Sequence, residues 1–329
     1  LDANERHHGV VTAIAVEAVV KLMALLAVGA FVVWGVADGA RDILTRIDAS
    51  EIAIWELQPS RWAVLIFLAA AAFLTLPRMF QVLVVENSDD RHLMTASWAF
   101  PAYLMLMSLF VVPIAVVGLT HLPQGSNPDL FVLTLPLAEG AAGLAMLSFI
   151  GGFSSATSMV IVAAIALSTM VSNHIVMPIW LQVRHGGASF SGDVRTLLLR
   201  SRRISIAAIL ALGYLYYRLS GGGAALAAIG LISFAGVAQV LPAMIGGLFW
   251  RGATRIGAAS GLITGFVIWG YTMFLPVFAD SGVMATGLLA EGPFGITWLH
   301  PRALFGISGI DPLVHAVFWS ISLNTFVFV

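Results

Sequence analysis

The 329 residues include 59% hydrophobic and only 10% charged side chains, and their mean hydropathy is +0.95. Soluble domains carry about 25% charged residues, so a water-soluble globular enzyme is excluded and an all-α polytopic membrane protein is expected. With no cysteine in the chain, disulfides, thiolate metal sites and cysteine nucleophiles are removed, and the net charge of −1 identifies no partner.

A helix that crosses a bilayer needs about 20 apolar residues. Segments 9–37, 62–85, 93–119, 138–173, 204–219, 224–250, 256–278 and 312–329 meet that need or approach it, within a single transmembrane domain covering 1–329. The stretch 137–183 reads as one long helix with a short following element. Segment 204–219 is short, and 312–329 stops inside an apolar run. The chain begins at Leu1 without a methionine, so an internal piece of a longer protein is expected.

Charge placement orients the spans. With the N-terminus in the cytoplasm, loops 1–8, 86–92, 184–203 and 251–255 carry Arg6, Arg91, Arg184, Arg195, Arg200, Arg202, Arg203, Arg251 and Arg255, while the outer loops carry Arg41, Arg46, Arg61, Arg218 and Arg302. This bias follows the positive-inside rule and favours a cytoplasmic N-terminus; the inner (plasma) membrane is the expected location. The run 200–203 leads straight into a span, so it reads as a cytoplasmic anchor and no nucleic acid is expected as a partner. Loop 38–61 alternates Ile43, Leu44, Ile47, Ile52, Ile54 and Trp55 with charges, which predicts a short amphipathic helix on the membrane surface. Loop 279–311, rich in Gly and Pro, predicts a partly ordered cap.

Polar residues inside spans are the candidates for function. Glu17 and Lys21 stand at i and i+4 and can pair on one face; a transport pathway and a helix-orienting ion pair are equally open. Pro77-Arg78 interrupts the second span, and unwound backbone near the midplane builds many transporter sites. Phe73 lies one turn before it. In the fourth span Gly151, Ser154, Ser155 and Ser158 recur at i, i+3, i+4 and i+7, one helical face. Such hydroxyls bind a hard cation, bond back to carbonyls of their own helix or let helices pack closely. Gln239, in the sixth span with Pro242, contacts substrate or bridges helices. Gly257, Gly261 and Gly265 form a close-packing face. The eight histidines show no recognisable metal spacing, and no nucleotide or kinase signature is present in these residues, so no catalytic residue is assigned and this stretch is not expected to be an enzyme.

Three motifs carry a resemblance. The first is the run 5–17, Glu-Arg-His-His-Gly-Val-Val-Thr-Ala-Ile-Ala-Val-Glu. The second is 76–82, Leu-Pro-Arg-Met-Phe-Gln-Val, followed by Val85-Glu86-Asn87. The third is 241–254, Leu-Pro-Ala-Met-Ile-Gly-Gly-Leu-Phe-Trp-Arg-Gly-Ala-Thr, leading into Gly257 and Gly261. Together they resemble the solute:sodium symporter family, and the first two look most like its branch fused to sensor histidine kinases of the CbrA type. The resemblance implies a LeuT-type inverted-repeat fold, with the six spans from 9 to 250 as core helices five to ten, two additional C-terminal helices, and core helices one to four preceding Leu1. It implies a sodium site between core helices one and eight, with Ser154 and Ser155 at its paired hydroxyl positions (the metal ligands of this chain), Gly151 as a carbonyl contributor and Ser158 as a neighbour. Pro77 matches the broken core helix six, which puts Phe73 and Leu74 near substrate beside Pro77, with Gln239 as a further substrate candidate. Met170 stands where the family commonly has an acidic residue, which leaves Na+ or H+ as the coupling ion.

The function implied is cation-coupled transport of a small organic solute, an amino acid and in particular histidine, by alternating access. Implied partners are the lipid bilayer, the N-terminal helices of the same protein, and C-terminal kinase domains with a response regulator in a two-component system. A non-transporting sensory input domain and a membrane scaffold subunit are the alternatives.

Overall fold

Helices make up every regular element among the described residues of the computed structural model, which are 8–50, 58–87, 89–179, 193–219, 226–280, 292–293 and 296–329. Hydrocarbon offers no partner to a backbone N–H or C=O, so long apolar runs close their hydrogen bonds within one helix. Among the described residues, five helical stretches are long and apolar enough to cross a membrane: Val11–Val36, Arg91–His121, Ala142–Ile179, Ala227–Phe249 and Arg255–Val277. A sixth exists if Pro59–Thr75 and Pro77–Val85, bent by 54°, count as one broken span. Large apolar side chains point outward along the spans, among them Phe249 and Ile256 at 83% and 82% exposure, a surface that suits lipid.

The chain divides into two compact units. The first comprises Leu1–Glu56 and Gln81–Ala166. Helix α1 (His8–Phe31) continues through a π-helical turn, Val32–Val36, and Gly39, at φ +92°, leads into α2 (Ala40–Asp48). Asp42 in the first turn of α2 and Arg46 in its last complement the helix dipole and pair at 2.8 Å. This is the amphipathic helix expected in loop 38–61: Ile43 is buried in the core, while Leu44 faces outward. Ile52, Ile54 and Trp55 lie outside the described residues.

The third span is two helices, α5 (Arg91–Ser108) and α6 (Val111–His121). Pro113, without an N–H, cannot bond to the Leu109 carbonyl, and the ladder breaks there. After α7 (Phe131–Ala138), α8 (Ala142–Val171) runs unbroken for 30 residues and continues through a π-helical turn at Ser172–Val176. This is the long helix and short following element read in 137–183. Val28, Val32, Ile43, Val117, Phe131 and Leu135 form the core of the unit.

The second unit comprises Leu57–Phe80 and Leu167–Val329. Helix α3 (Pro59–Thr75) ends at Leu76, whose φ −65° and ψ 123° are extended backbone, and α4 (Pro77–Phe80) restarts at the proline. A residue before proline is driven out of the helical region, so the break expected at Pro77 is present. Helices α9 (Asp193–Leu219), α10 (Leu226–Ala238), α11 (Leu241–Phe249), α12 (Arg255–Trp269), α13 (Leu275–Asp280) and α14 (Pro312–Phe328) complete the unit. Its core joins Leu68 and Ala71 of α3, Ala235 and Ala238, and Leu313 and Val317 of α14.

Two expectations need revision, the loop at 184–203 and the span at 204–219, while the cap expected in 279–311 is described only in part. Segment 184–203 was expected as a loop, yet 193–203 is the first part of α9; arginine and leucine are both good helix formers, and the charge density that argues for a loop does not oppose a helix. Its later part, 204–219, is not among the helices apolar enough to cross a membrane, and α14 spans only 17 residues. In loop 279–311, two 3₁₀ turns, Thr297–Leu299 and Leu304–Gly306, are described, while 281–291 lie outside the described residues.

Lipid tails are as apolar as leucine, so helices here associate through close packing and hydrogen bonds. The Gly257, Gly261 and Gly265 face is such a contact, against α14. A Cβ on Gly257 would sit 2.6 Å from the Phe328 carbonyl oxygen, and one on Gly261 2.7 Å from that of Asn324.

Candidate functional site

The hydroxyl face expected on the fourth span lies on α8 and looks toward α1. Gly151 is buried, and a Cβ there would come within 2.8 Å of the Ala24 Cβ and 3.6 Å of the Lys21 Cα. The missing side chain lets the two helices approach closely at the level of Lys21.

The hydroxyls then divide. Ser154 donates to the Gly151 carbonyl at 3.1 Å, Thr157 to the Phe153 carbonyl at 2.7 Å and Ser158 to the Ser155 carbonyl at 3.4 Å. These are bonds within the helix, the ordinary fate of such residues. Ser155 differs: its Oγ accepts a hydrogen bond from Lys21 Nζ at 3.2 Å, from a residue 134 positions earlier.

The Glu17–Lys21 pair expected from their spacing is not formed. No ion pair joins them among the described residues, because Lys21 extends across to α8. Among the described residues Glu17 Oε1 has no hydrogen-bond partner, although it is buried. From α5, Tyr103 donates to the Ala18 carbonyl at 3.0 Å beside it. Glu17, Thr12, Ser154, Thr157 and Ser158 line a groove of about 1000 Å³ between α1 and α8, whose remaining walls are mainly apolar. An apolar pair of helices thus frames one ammonium, one carboxylate and a row of hydroxyls.

The expected substrate residues belong to the second unit. Phe73 and Leu74, at the end of α3, are exposed, and Pro77 begins α4. Proline at 77 cannot donate to the Phe73 carbonyl four residues back. Gln239 is fully buried. Its Nε2 donates to the Ala235 carbonyl at 3.0 Å and to Ser320 Oγ at 2.9 Å, and its backbone carbonyl and Oε1 both accept from Asn324. Helix bridging, one of the two roles open to it, is therefore the role the structure displays, and it leaves Gln239 no surface to offer a solute.

Sequence reading missed Ser320 and Asn324, which complete this network. Their signal was available: Ser320 and Asn324, four apart, sit one turn apart on the same helix face.

Comparison with protein-family models, with curated proteins and with solved structures finds no match.

Proposed function

We propose that this chain is part of a cation-coupled secondary transporter that moves a small organic solute, an amino acid such as histidine, by alternating access, as the transporter module of a sensor histidine kinase. One observation carries the reading: within an apolar helix pair, Lys21 bonds Ser155 while Glu17 and Ser154 line the groove beside it. Ionisable groups at membrane depth mark ion and substrate pathways. The broken helix at Leu76-Pro77 supplies the second element such transporters use, an interrupted span.

In this proposal Phe73, Leu74 and Pro77 border the solute at the break. Gly151, Ser154 and Ser155 form the cation face, with Na+ or H+ as the coupling ion. Gln239 holds its helices in register. Cation binding favours the state that accepts solute, and rocking of one helix group against another then exposes both to the other side.

The test is uptake of labelled histidine and of other amino acids by the full-length protein in proteoliposomes, under a sodium gradient and a proton gradient applied separately. Accumulation driven by one gradient, and weakened by Ser154→Ala and Ser155→Ala, is expected. Uptake indifferent to both gradients rejects the proposal. Pro77→Ala, which restores the missing N–H, is expected to slow transport while leaving the protein folded.

A further inference from the structure

We propose that Lys21 supplies the cation of the Ser155 face: its ammonium group stands where a sodium ion would have to bind, and the site closes around a charge tethered to α1. The inference rests on reading Gly151, Ser154 and Ser155 as a cation-binding face, and it names the occupant of that face.

Three observations carry it. The Ser155 hydroxyl already accepts from Lys21 Nζ at 3.2 Å. A sodium ion on the same oxygen would lie within about 6 Å of the ammonium, and in a water-poor helix interface two unit positive charges that close repel strongly. Two backbone oxygens of the face that could complete a sodium shell already accept hydroxyl hydrogen bonds. The Gly151 carbonyl accepts from Ser154 at 3.1 Å, and the Ser155 carbonyl from Ser158 at 3.4 Å. Finally, Glu17 Oε1, one turn before Lys21, is buried with no hydrogen-bond partner among the described residues. An ammonium carries three donors, and side chains at i and i+4 on a helix are neighbours. Lys21 thus has two acceptors in range of its flexible stem. Ser155 ties α1 to α8, and Glu17 keeps the charge on α1 alone. Transfer of the ammonium from one to the other releases the helices from each other with no sodium ion bound, which leaves H+ as the coupling ion of the proposed transport.

Lys21 is therefore a specificity-determining residue that excludes sodium. The experiment measures sodium binding alone, with no solute and no transport, on the full-length protein in detergent. Radioactive sodium binding and the sodium-dependent shift in melting temperature are recorded against a potassium or choline control. The parent protein is expected to show no saturable sodium binding and no sodium-specific shift. Lys21→Met, of similar length and uncharged, is expected to gain both, because a ligand bound only by the folded state stabilises it. Adding Ser155→Ala to Lys21→Met is expected to abolish the gain, and Lys21→Arg, which keeps the charge, is expected to show none. Saturable sodium binding by the parent that disappears in Ser155→Ala overturns the proposal, and that measurement needs no lysine variant to fold. A folded Lys21→Met that gains no sodium binding also overturns it. Neither readout depends on uptake, so a failure of the transport reading in proteoliposomes is distinguishable from a failure here.

Discussion

Asn324 binds Gln239 twice: its Nδ2 donates to the Gln239 backbone carbonyl at 2.7 Å and to the side-chain Oε1 at 3.2 Å. Both residues are fully buried, and Gln239 Nε2 continues the network to Ser320. The carbonyl of Gln239 lies at the junction of α10 and α11, where Pro242 cannot donate to the Ala238 carbonyl. Asn324 thus ties α14 to the discontinuity between α10 and α11.

Removing that donor strands buried acceptors. Asn324→Ala is expected to destabilise the protein by about 1–3 kcal/mol, the usual cost of an unsatisfied buried group. Asn324→Asp is expected to cost more, because it places a carboxylate against the acceptor oxygens. Thermal unfolding in detergent checks the order. If Asn324→Asp proves as stable as the parent, the assigned donor geometry is wrong.

Gly151 and Gly152 are adjacent in sequence and opposite in consequence. A Cβ at Gly151 would meet Ala24 at 2.8 Å, whereas a Cβ at Gly152 meets nothing within 4 Å. Gly151→Val is expected to cost about 1–3 kcal/mol through overpacking and to spread α1 from α8, breaking the Lys21–Ser155 bond. Gly152→Ala is expected to be neutral or to stabilise by up to about 1 kcal/mol through helix propensity. Melting temperatures of the two variants, measured side by side, decide this. Equal losses would contradict the packing described at Gly151.

The parts legible in the sequence are those that lipid dictates. A run of about 20 apolar residues has few alternatives to a spanning helix, so α1, α8 and α12 could be placed from composition, and Pro77 marked its own break. The hydroxyl face was equally legible, because a helical period of 3.6 lines up Gly151, Ser154, Ser155 and Ser158 whatever the surroundings. The partner of Lys21 was not. Spacing put Glu17 within its range, but a four-carbon stem also reaches a neighbouring helix, and only the close approach at Gly151 shows that Ser155 is the acceptor. Gln239 was ambiguous for the same reason: its role depends on Ser320 and Asn324, about 80 residues away. The helical start of α9 was hidden because its arginines signal a loop by charge and a helix by propensity.

Asp42 gives a pH dependence of known sign. The hydrogen bond from Arg46 holds its carboxyl below the ordinary 3.8, against the opposing effect of desolvation and with help from the Asp38 backbone N–H. A carboxylate with a lowered folded value adds stability that is present above its unfolded value and lost as pH falls through the folded one. The contribution of the Asp42–Arg46 pair is therefore complete at neutral pH and disappears in acid below about pH 4. Asp42→Asn is expected to lower the melting temperature slightly at pH 7, and the difference from the parent is expected to shrink as the pH falls below the ordinary 3.8. A difference independent of pH would show that the carboxylate charge plays no part.

Asp311 does two jobs with its two oxygens, and they can be separated. Oδ1 accepts from the backbone N–H groups of Leu313 and Val314 at 2.9 and 3.3 Å, which caps α14. Oδ2 pairs with Arg61 at the start of α3. The cap satisfies donors that a helix N-terminus otherwise leaves unbonded, and its loss costs about 1 kcal/mol. The Arg61 side chain is 44% exposed, so solvent screens the pair and its share is expected to stay below about 1 kcal/mol. Asp311→Ala, losing both roles, is expected to be the least stable variant. Asp311→Asn keeps an oxygen for the cap and loses the charge, and Arg61→Met loses only the pair, so the two are expected to be close to each other and nearer the parent. Raising the salt concentration is expected to narrow the gap between the parent and Arg61→Met while leaving the deficit of Asp311→Ala largely in place. If Arg61→Met instead falls as far as Asp311→Ala, the ion pair rather than the cap holds α14 against α3.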